Sequence, residues 1–355
     1  MDDTVIFATS REKMMEKLQY LKDCIYDIGM VINSAKSHFL CINSDSFESF
    51  DLGNTIISHV ECYNYLGTPI SAKPIAAQVK EHLKSKSGHL FKFYSFLRRN
   101  DCAPYSVKRK VWNSALCSAL FYSCESWFTK DLREAETAYH SSLKCMLGVR
   151  MTTCNDIACV EAGEPGAKGF ILQRQFNFLN KLKARSSYQG SYVQWVIDEA
   201  KRCCSPGGVA LQAVEAFNQD PASIELEKKK MSITMSGSSR RVAYLALNPE
   251  LCVSPVYGDR LHVEEAKRVS FSRIRVSSHR MAFEMGRWSR IPSDNRLCPC
   301  GRLQNDEHVL LHCELTEQYR QRLNIHVDNL KDLLNFDLIV LCTYFHFCLT
   351  TLSVN

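Results

Sequence analysis

The sequence predicts an α+β layer at its N-terminal end, a mostly α-helical body, and a small Cys/His module near its C-terminus. Three observations predict this. A β-branched apolar run, Thr4 to Ala8, precedes an amphipathic helix and two short extended stretches. From about residue 78 onward, apolar residues recur at helical spacing with basic residues between them. Finally, Cys298-Pro299-Cys300-Gly301 is followed by His308, His312 and Cys313.

The opening residues Met1-Asp2-Asp3 read as a turn feeding a buried strand, because Val5, Ile6 and Phe7 favour a sheet and charges avoid it. Paired carboxylates at a strand mouth repel unless a divalent cation sits between them and other oxygens. Thr9-Ser10-Arg11-Glu12 is a helix-start signal, and Met14, Leu18, Leu21, Ile25 and Ile28 form the apolar stripe of a helix closed by Gly29. Met30 to Ile32 and His38 to Ile42 read as short strands around the loop Asn33–Ser37. Tyr63 to Ile70 reads as a strand and a tight turn at Gly67.

Gln78 to Arg99 reads as one long helix carrying Lys84, Arg98 and Arg99. Pro104 ends it, and a second helix carries Lys108-Arg109-Lys110 and Trp112. Another passes through His140, Leu143, Met146 and Leu147 to Gly148. Residues 150–285 are the least informative, with a helix at Ile171 to Ala184 and a lysine run, Lys228 to Lys230, that reads as a wet helix face or an import patch. Between Lys267 and Arg290 basic residues thicken again, with Arg273, Arg275, Arg280 and Arg287 among aromatics, a composition suited to phosphates and stacked bases.

Three thiolates and an imidazole within sixteen residues satisfy the ligand count and softness of a structural zinc site. Asp306 reads as the cap of a short helix presenting His308, with His312 one turn later on the same face, so either histidine can complete the set. One residue separates Cys298 from Cys300, so both sulfurs converge only if Pro299 and Gly301 bend the backbone sharply.

The formal charge of +6 and pI near 8.5 permit a nucleic-acid partner without demanding one. Seventeen cysteines, mostly scattered singly and without a signal-peptide pattern, indicate reduced buried thiols in an intracellular compartment, nucleus or cytoplasm. No apolar run reaches the length of a membrane helix; Leu338 to Leu349 is too short.

Taken together, the motifs resemble, in order and spacing, the C-terminal part of a reverse transcriptase of the non-LTR, LINE-type retrotransposons. The resemblance places Asp2 and Asp3 in the catalytic turn, Asp2 as Mg²⁺ ligand. It puts Gly29, Asn33 and Lys36 near the incoming nucleotide's phosphates, and Tyr65-Leu66-Gly67 in the primer grip. Tyr122 to Trp127 resembles the family's post-thumb signature ending in Glu-x-Trp. It also selects Cys298, Cys300, His308 and Cys313 as zinc ligands, His312 being the alternative.

On this resemblance the fold is an α+β remnant of a palm, a mostly α-helical thumb and connection region, and a zinc-knuckle module. The implied divisions are a partial palm with a primer-grip-like strand at 1–75, a helical thumb at 76–150, a helical linker at 151–266, a basic segment at 267–297, the knuckle at 298–313 and a helical tail at 314–355. The implied partners are RNA and DNA. Lys84, Arg98, Arg99, Lys108, Arg109, Lys110, Arg273, Arg275, Arg280 and Arg287 are the expected phosphate contacts. The family's activity is RNA-directed DNA synthesis with Mg²⁺, and the expectation is that this chain, lacking fingers and earlier palm motifs, is inactive alone but binds nucleic acid. The alternative is a zinc-stabilised nucleic-acid-binding or protein-interaction module without catalysis.

Overall fold

The computed structural model describes residues 4–42, 47–185, 187, 189–203 and 206–353. The chain is mostly helical, with small sheets, and divides into two compact units, Met1–Ser85 and Lys86–Asn355.

In the first unit, α1 (Arg11–Asp27) starts where the Ser10 hydroxyl accepts the Lys13 N–H, and it ends in a Schellman motif. Gly29 adopts φ +74°; its N–H reaches the Tyr26 carbonyl at 2.9 Å and that of Met30 reaches Ile25 at 3.0 Å. Strands β1 (His38–Phe39), β2 (Phe50–Asp51) and β3 (Ile56–His59) form a sheet in the order β1-β3-β2, with β1 parallel and β2 antiparallel to β3. Leu18, Phe50, Leu52 and Ile57 make the core, with Ile6, Met14 and Phe39 packed on it.

Thr4 to Ala8, expected as a buried strand, is extended coil here, and Phe7 is 76% exposed. No described strand hydrogen-bonds it, and without a ladder it is held by Ile6 packing on the core and by the Lys17 ammonium donating to the Phe7 carbonyl at 2.7 Å. Met30 to Ile32 is likewise coil. A two-residue hairpin follows, β4 (Cys62–Tyr65) with β5 (Thr68–Ser71), and α2 (Ile75–Ser85) packs on β5.

The second unit begins with α3 (Ser87–Arg99), so the expected single helix from Gln78 is two, broken at Lys86. After Pro104 come α4 (Tyr105–Val111), a π-helical segment (Trp112–Cys117) and α5 (Ser118–Leu120). Then follow α6 (Arg133–Leu147), closed by Gly148 at φ +75°, α7 (Asn155–Ala162), α8 (Gly166–Lys183), α9 (Tyr192–Arg202), α10 (Pro206–Glu215), α11 (Pro221–Thr234) and α12 (Ser239–Leu247). The C-terminal part comprises α13 (Glu265–Arg275), α14 (Ala282–Trp288), a π turn (His308–His312), α15 (Glu314–Arg322), α16 (Leu330–Leu333) and α17 (Leu338–Leu352). No helix among the described residues is long and apolar enough to cross a membrane. The most apolar of them, α17, packs along α13, where Phe271 and Phe345 stack with centroids 5.7 Å apart.

Charge is buried beside these rings. On α13, Arg268 pairs with Glu265, which also takes the Lys108 ammonium at 2.8 Å. Seven residues on, Arg275 pairs at 2.9 Å with Glu161 of α7, a fully buried carboxylate that also accepts from the Tyr244 hydroxyl (2.9 Å) and the Tyr257 hydroxyl (2.6 Å). A third carboxylate, Glu164, holds Arg109 and Tyr139.

Two measurements check this core. Arg275→Leu strands the Glu161 carboxylate and is expected to cost about 3–5 kcal/mol in urea unfolding. Adding Glu161→Leu should recover part of that loss; equal losses in the single and double variants would show the two charges to be uncoupled. On α6, His140 is 7% exposed, and its Nε2 has no hydrogen-bond partner among the described residues. Burial pulls its pKa down to about 4, and Lys229 and Lys144 add to this. The unfolded chain therefore takes up a proton near pH 6.5 that the folded chain refuses, so stability should fall between pH 6.5 and 4 by roughly 3 kcal/mol. His140→Leu should flatten that acid limb in a pH series of melting curves.

Candidate metal centre

The C-terminal module is built on a backbone hairpin. Leu297 and Leu303 form an antiparallel bridge, the Cys298 N–H donates to the Arg302 carbonyl at 2.7 Å, and the Gly301 N–H donates to the Cys298 carbonyl at 2.8 Å. Pro299 enters this turn and Gly301 leaves it at φ +87°, a left-handed conformation that glycine adopts without strain. This is the sharp bend that a one-residue spacing requires, and it turns the Cys298 and Cys300 sulfurs to one side.

The remaining ligands come from the π turn. Its start is capped by Asn305, whose side-chain oxygen accepts the His308 N–H at 2.7 Å. The expected cap, Asp306, instead meets His279 at 3.2 Å. In an α-helix His308 and Cys313 would diverge by about 140°. The i→i+5 bonding of a π turn brings residues five apart closer to one side, and with Cys313 extended just beyond it the His308 and Cys313 ligand atoms converge. His312 is exposed and is not among the converging ligand atoms, so the alternative fourth ligand is not brought into the set.

The ligand atoms of Cys298, Cys300, His308 and Cys313 all lie within 4.8 Å of one another. The Cys298 and Cys313 sulfurs are 3.7 Å apart, and those of Cys313 and Cys300 are 4.0 Å apart. A tetrahedral zinc with Zn–S bonds near 2.3 Å requires sulfur–sulfur edges of about 3.8 Å. The Cys300 sulfur and His308 Nε2, at 3.1 Å, hold each other by a hydrogen bond, which an ion would open by about 0.5 Å. The quartet therefore fits a metal ion of this coordination preference.

The electrostatics of the donors differ from one to the next. Burial pushes the Cys298 thiol up to about 12, with hydrogen bonds from its thiol neighbours adding to it. At Cys300 burial also acts upward, but the Arg302 backbone N–H and the Cys298 and Cys313 thiols outweigh it and hold this thiol below its usual range. Burial first, and then Arg302 and His312, lower the His308 pKa, which favours the neutral imidazole that a metal takes.

Surrounding groups fix the cluster. The Thr316 hydroxyl donates to the carbonyls of Val309 and Cys313 (both 3.1 Å), and the Tyr344 hydroxyl from α17 donates to Leu310 at 2.9 Å. The spacing Asn305-x-x-His308 is a capping signal legible in sequence, whereas nothing local marks Tyr344 as a support for this site.

The other residues singled out from sequence are placed as follows. Asp2 and Asp3 lie outside the described residues. Asn33 makes an Asx turn, its side-chain oxygen accepting from Ala35, and Lys36 is exposed in that turn. The Tyr63 hydroxyl reaches the Lys36 carbonyl at 3.2 Å, which brings this loop beside the β4–β5 hairpin. Leu66 and Gly67 are the hairpin's two turn residues, both left-handed at φ +48° and +81°, flanked by the paired Tyr65 and Thr68. Glu125 pairs with Arg174 at 3.0 Å, and Trp127 is buried with its carbonyl held by Gln175.

Of the expected phosphate contacts, Lys84, Arg98, Arg99, Lys110, Arg273 and Arg280 are exposed. Lys108 and Arg275 are not: both are buried, and their charges are taken by Glu265 and Glu161. Arg109 and Arg287 are held by Glu164 and Glu284. A helix face that reads as wet from its lysines and arginines is here partly an inward face, because carboxylates from other helices meet it.

No family model, curated protein or solved structure matches the chain.

If the quartet binds zinc, the purified chain should carry one equivalent by elemental analysis. Cys313→Ser or His308→Ala should lose it and lower the melting temperature, while His312→Ala should retain it; loss with His312→Ala alone would reassign the fourth ligand.

Proposed function

We propose that the chain is related to the non-LTR retrotransposon reverse transcriptases, from their catalytic turn to their zinc knuckle, and that it binds nucleic acid without polymerising. The observation that carries this reading is the Cys298–Cys300–His308–Cys313 cluster, which sits C-terminal to a helical body and follows, in order, the Asp2-Asp3 pair, the Asn33/Lys36 loop and the Tyr65-Leu66-Gly67 hairpin. The adjacency of that loop and that hairpin supports it, since nucleotide and primer contacts must lie close together in a polymerase site.

Zinc would be structural here, because all four ligand positions are filled by protein and none is left for water or substrate. Two-metal phosphoryl transfer takes carboxylates from more than one segment, and Asp2 and Asp3 would supply one of them. The second reading, a zinc-stabilised binding or interaction module without catalysis, draws on the same cluster.

On homopolymer template with Mg²⁺ or Mn²⁺ the purified chain should not extend a primer, and sustained incorporation refutes that part of the reading. In gel shifts it should retard RNA with an affinity that falls steeply with salt. Absence of any shift at low salt would reject nucleic-acid binding and leave the interaction module.

A further inference from the structure

The unit Lys86–Asn355 holds an open cleft of about 1200 Å³ that is separate from the Cys/His quartet. Three arginines line it, from three places in the chain: Arg150 just beyond α6, Arg273 in the last turn of α13, and Arg280 in the loop that follows. Among the described residues no carboxylate lies within ion-pair distance of any of them, in contrast to the buried Arg268 and Arg275 close by.

The acidic residues of the same cleft are mostly engaged. Glu265 is taken by Lys108 and Arg268, Glu264 by Lys267 and Asp259 by Lys110, while Asp101 caps the Cys102 N–H. The cleft is thus left with a surplus of positive charge. Its arginines act on one another: Arg150 is pulled down to about 10, first by burial and then by Arg280 and Arg273 against the pull of Glu284, and Arg273 is lowered by burial, Arg268 and Arg280. Like charges held together in a half-buried site favour an anion between them.

Arg150 is the least satisfied of the three. Among the described residues its buried Nη1 has no hydrogen-bond partner, and its Nη2 reaches the Met285 sulfur at 3.6 Å. The guanidinium lies 3.7 Å over the ring of Trp288, which is itself 43% exposed. A cation stacked on a half-exposed indole beside an arginine-lined cleft offers a phosphate contact and a stacking surface together, the pair of features that single-stranded nucleic acid uses. A small anion would fill a closed pocket; an open cleft reached by arginines from three elements suits a chain of repeated charges.

We propose that this cleft binds the phosphate backbone of a single-stranded nucleic acid through Arg150, Arg273 and Arg280, with Trp288 beside it as a base-stacking surface. The inference rests on the nucleic-acid-binding reading above and assigns the contact to Arg150, Arg273 and Arg280 rather than to the lysines and arginines of α3 and α4.

The test is fluorescence anisotropy of a labelled oligouridylate of about fifteen nucleotides with the full zinc-loaded chain across a salt series. The triple variant R150Q/R273Q/R280Q should bind about 10- to 100-fold more weakly at low salt, and its log–log salt slope should shrink by about 2, since each single-strand phosphate contributes about 0.7. R133Q, on the far exposed Arg133–Asp131 pair, should bind as the wild type does. Because Arg150 and Arg273 also touch the fold, R280E serves as a second variant; Arg280 is exposed, and reversing its charge should weaken binding about 3- to 10-fold. Wild-type affinity and slope in both R280E and a triple variant that melts normally overturn the cleft while leaving nucleic-acid binding in place. No binding by the wild type at low salt overturns both. Competition by inorganic phosphate at concentrations comparable to the oligomer's overturns the assignment to a polymer.

Discussion

Two arginines buried on one face of α13 set the arrangement of the larger unit. Neither charge can be left without its carboxylate inside protein, so Arg268 with Glu265 of the same helix fixes α13 against the carbonyl of Leu147 and, through Glu265, Lys108, and Arg275 fixes it against Glu161. The helices that supply those groups, α4, α6 and α7, are thereby held at one separation from α13. The loop beyond Arg275 inherits that placement: His279 meets Asp306 at 3.2 Å, and the Ala282 N–H is taken by the Gln304 side chain. Both acceptors belong to the segment between the cysteine turn and the π turn. The charges on α13 therefore position the Cys/His cluster from a distance.

The module itself is too small to have a core of its own. Its hairpin amounts to one bridge, and the apolar residues of its π turn, Val309 and Leu310, are fully covered by the rest of the chain. Much of that cover comes from α17, whose Tyr344 also satisfies a carbonyl of the π turn. A stretch that reads as a nondescript apolar tail is in fact the back wall of the candidate metal centre. Gln304 strengthens the same joint by donating to the Leu352 carbonyl at 3.2 Å.

What was legible in sequence follows from the range of the forces involved. Caps and left-handed closures are local, so Ser10, Gly29 and Gly148 end or begin helices where the sequence puts them. The four ligands were also legible, because thiol and imidazole chemistry is carried by residue type. What escaped depends on partners far along the chain. Thr4 to Ala8 has strand composition but no ladder, and Lys108 and Arg275 have surface composition but meet carboxylates more than a hundred residues away. The π turn escaped for a different reason: five residues of apolar and histidine character look the same at either helical pitch, and only the carbonyls claimed by Thr316 and Tyr344 distinguish them. Arg150 carries no motif at all, and its buried Nη1, without a hydrogen-bond partner among the described residues, is visible only in three dimensions.

The five-residue turn from His308 to His312 also constrains how this segment can vary in length. Removing or adding one residue there would return the backbone to ordinary helical pitch or wind it further, swinging His308 by roughly 100° relative to Cys313. Substitutions along Val309 to Leu311 can conserve volume and be absorbed, but an indel at the same place cannot. Drift in this short stretch is thus confined to exchange of side chains at fixed spacing.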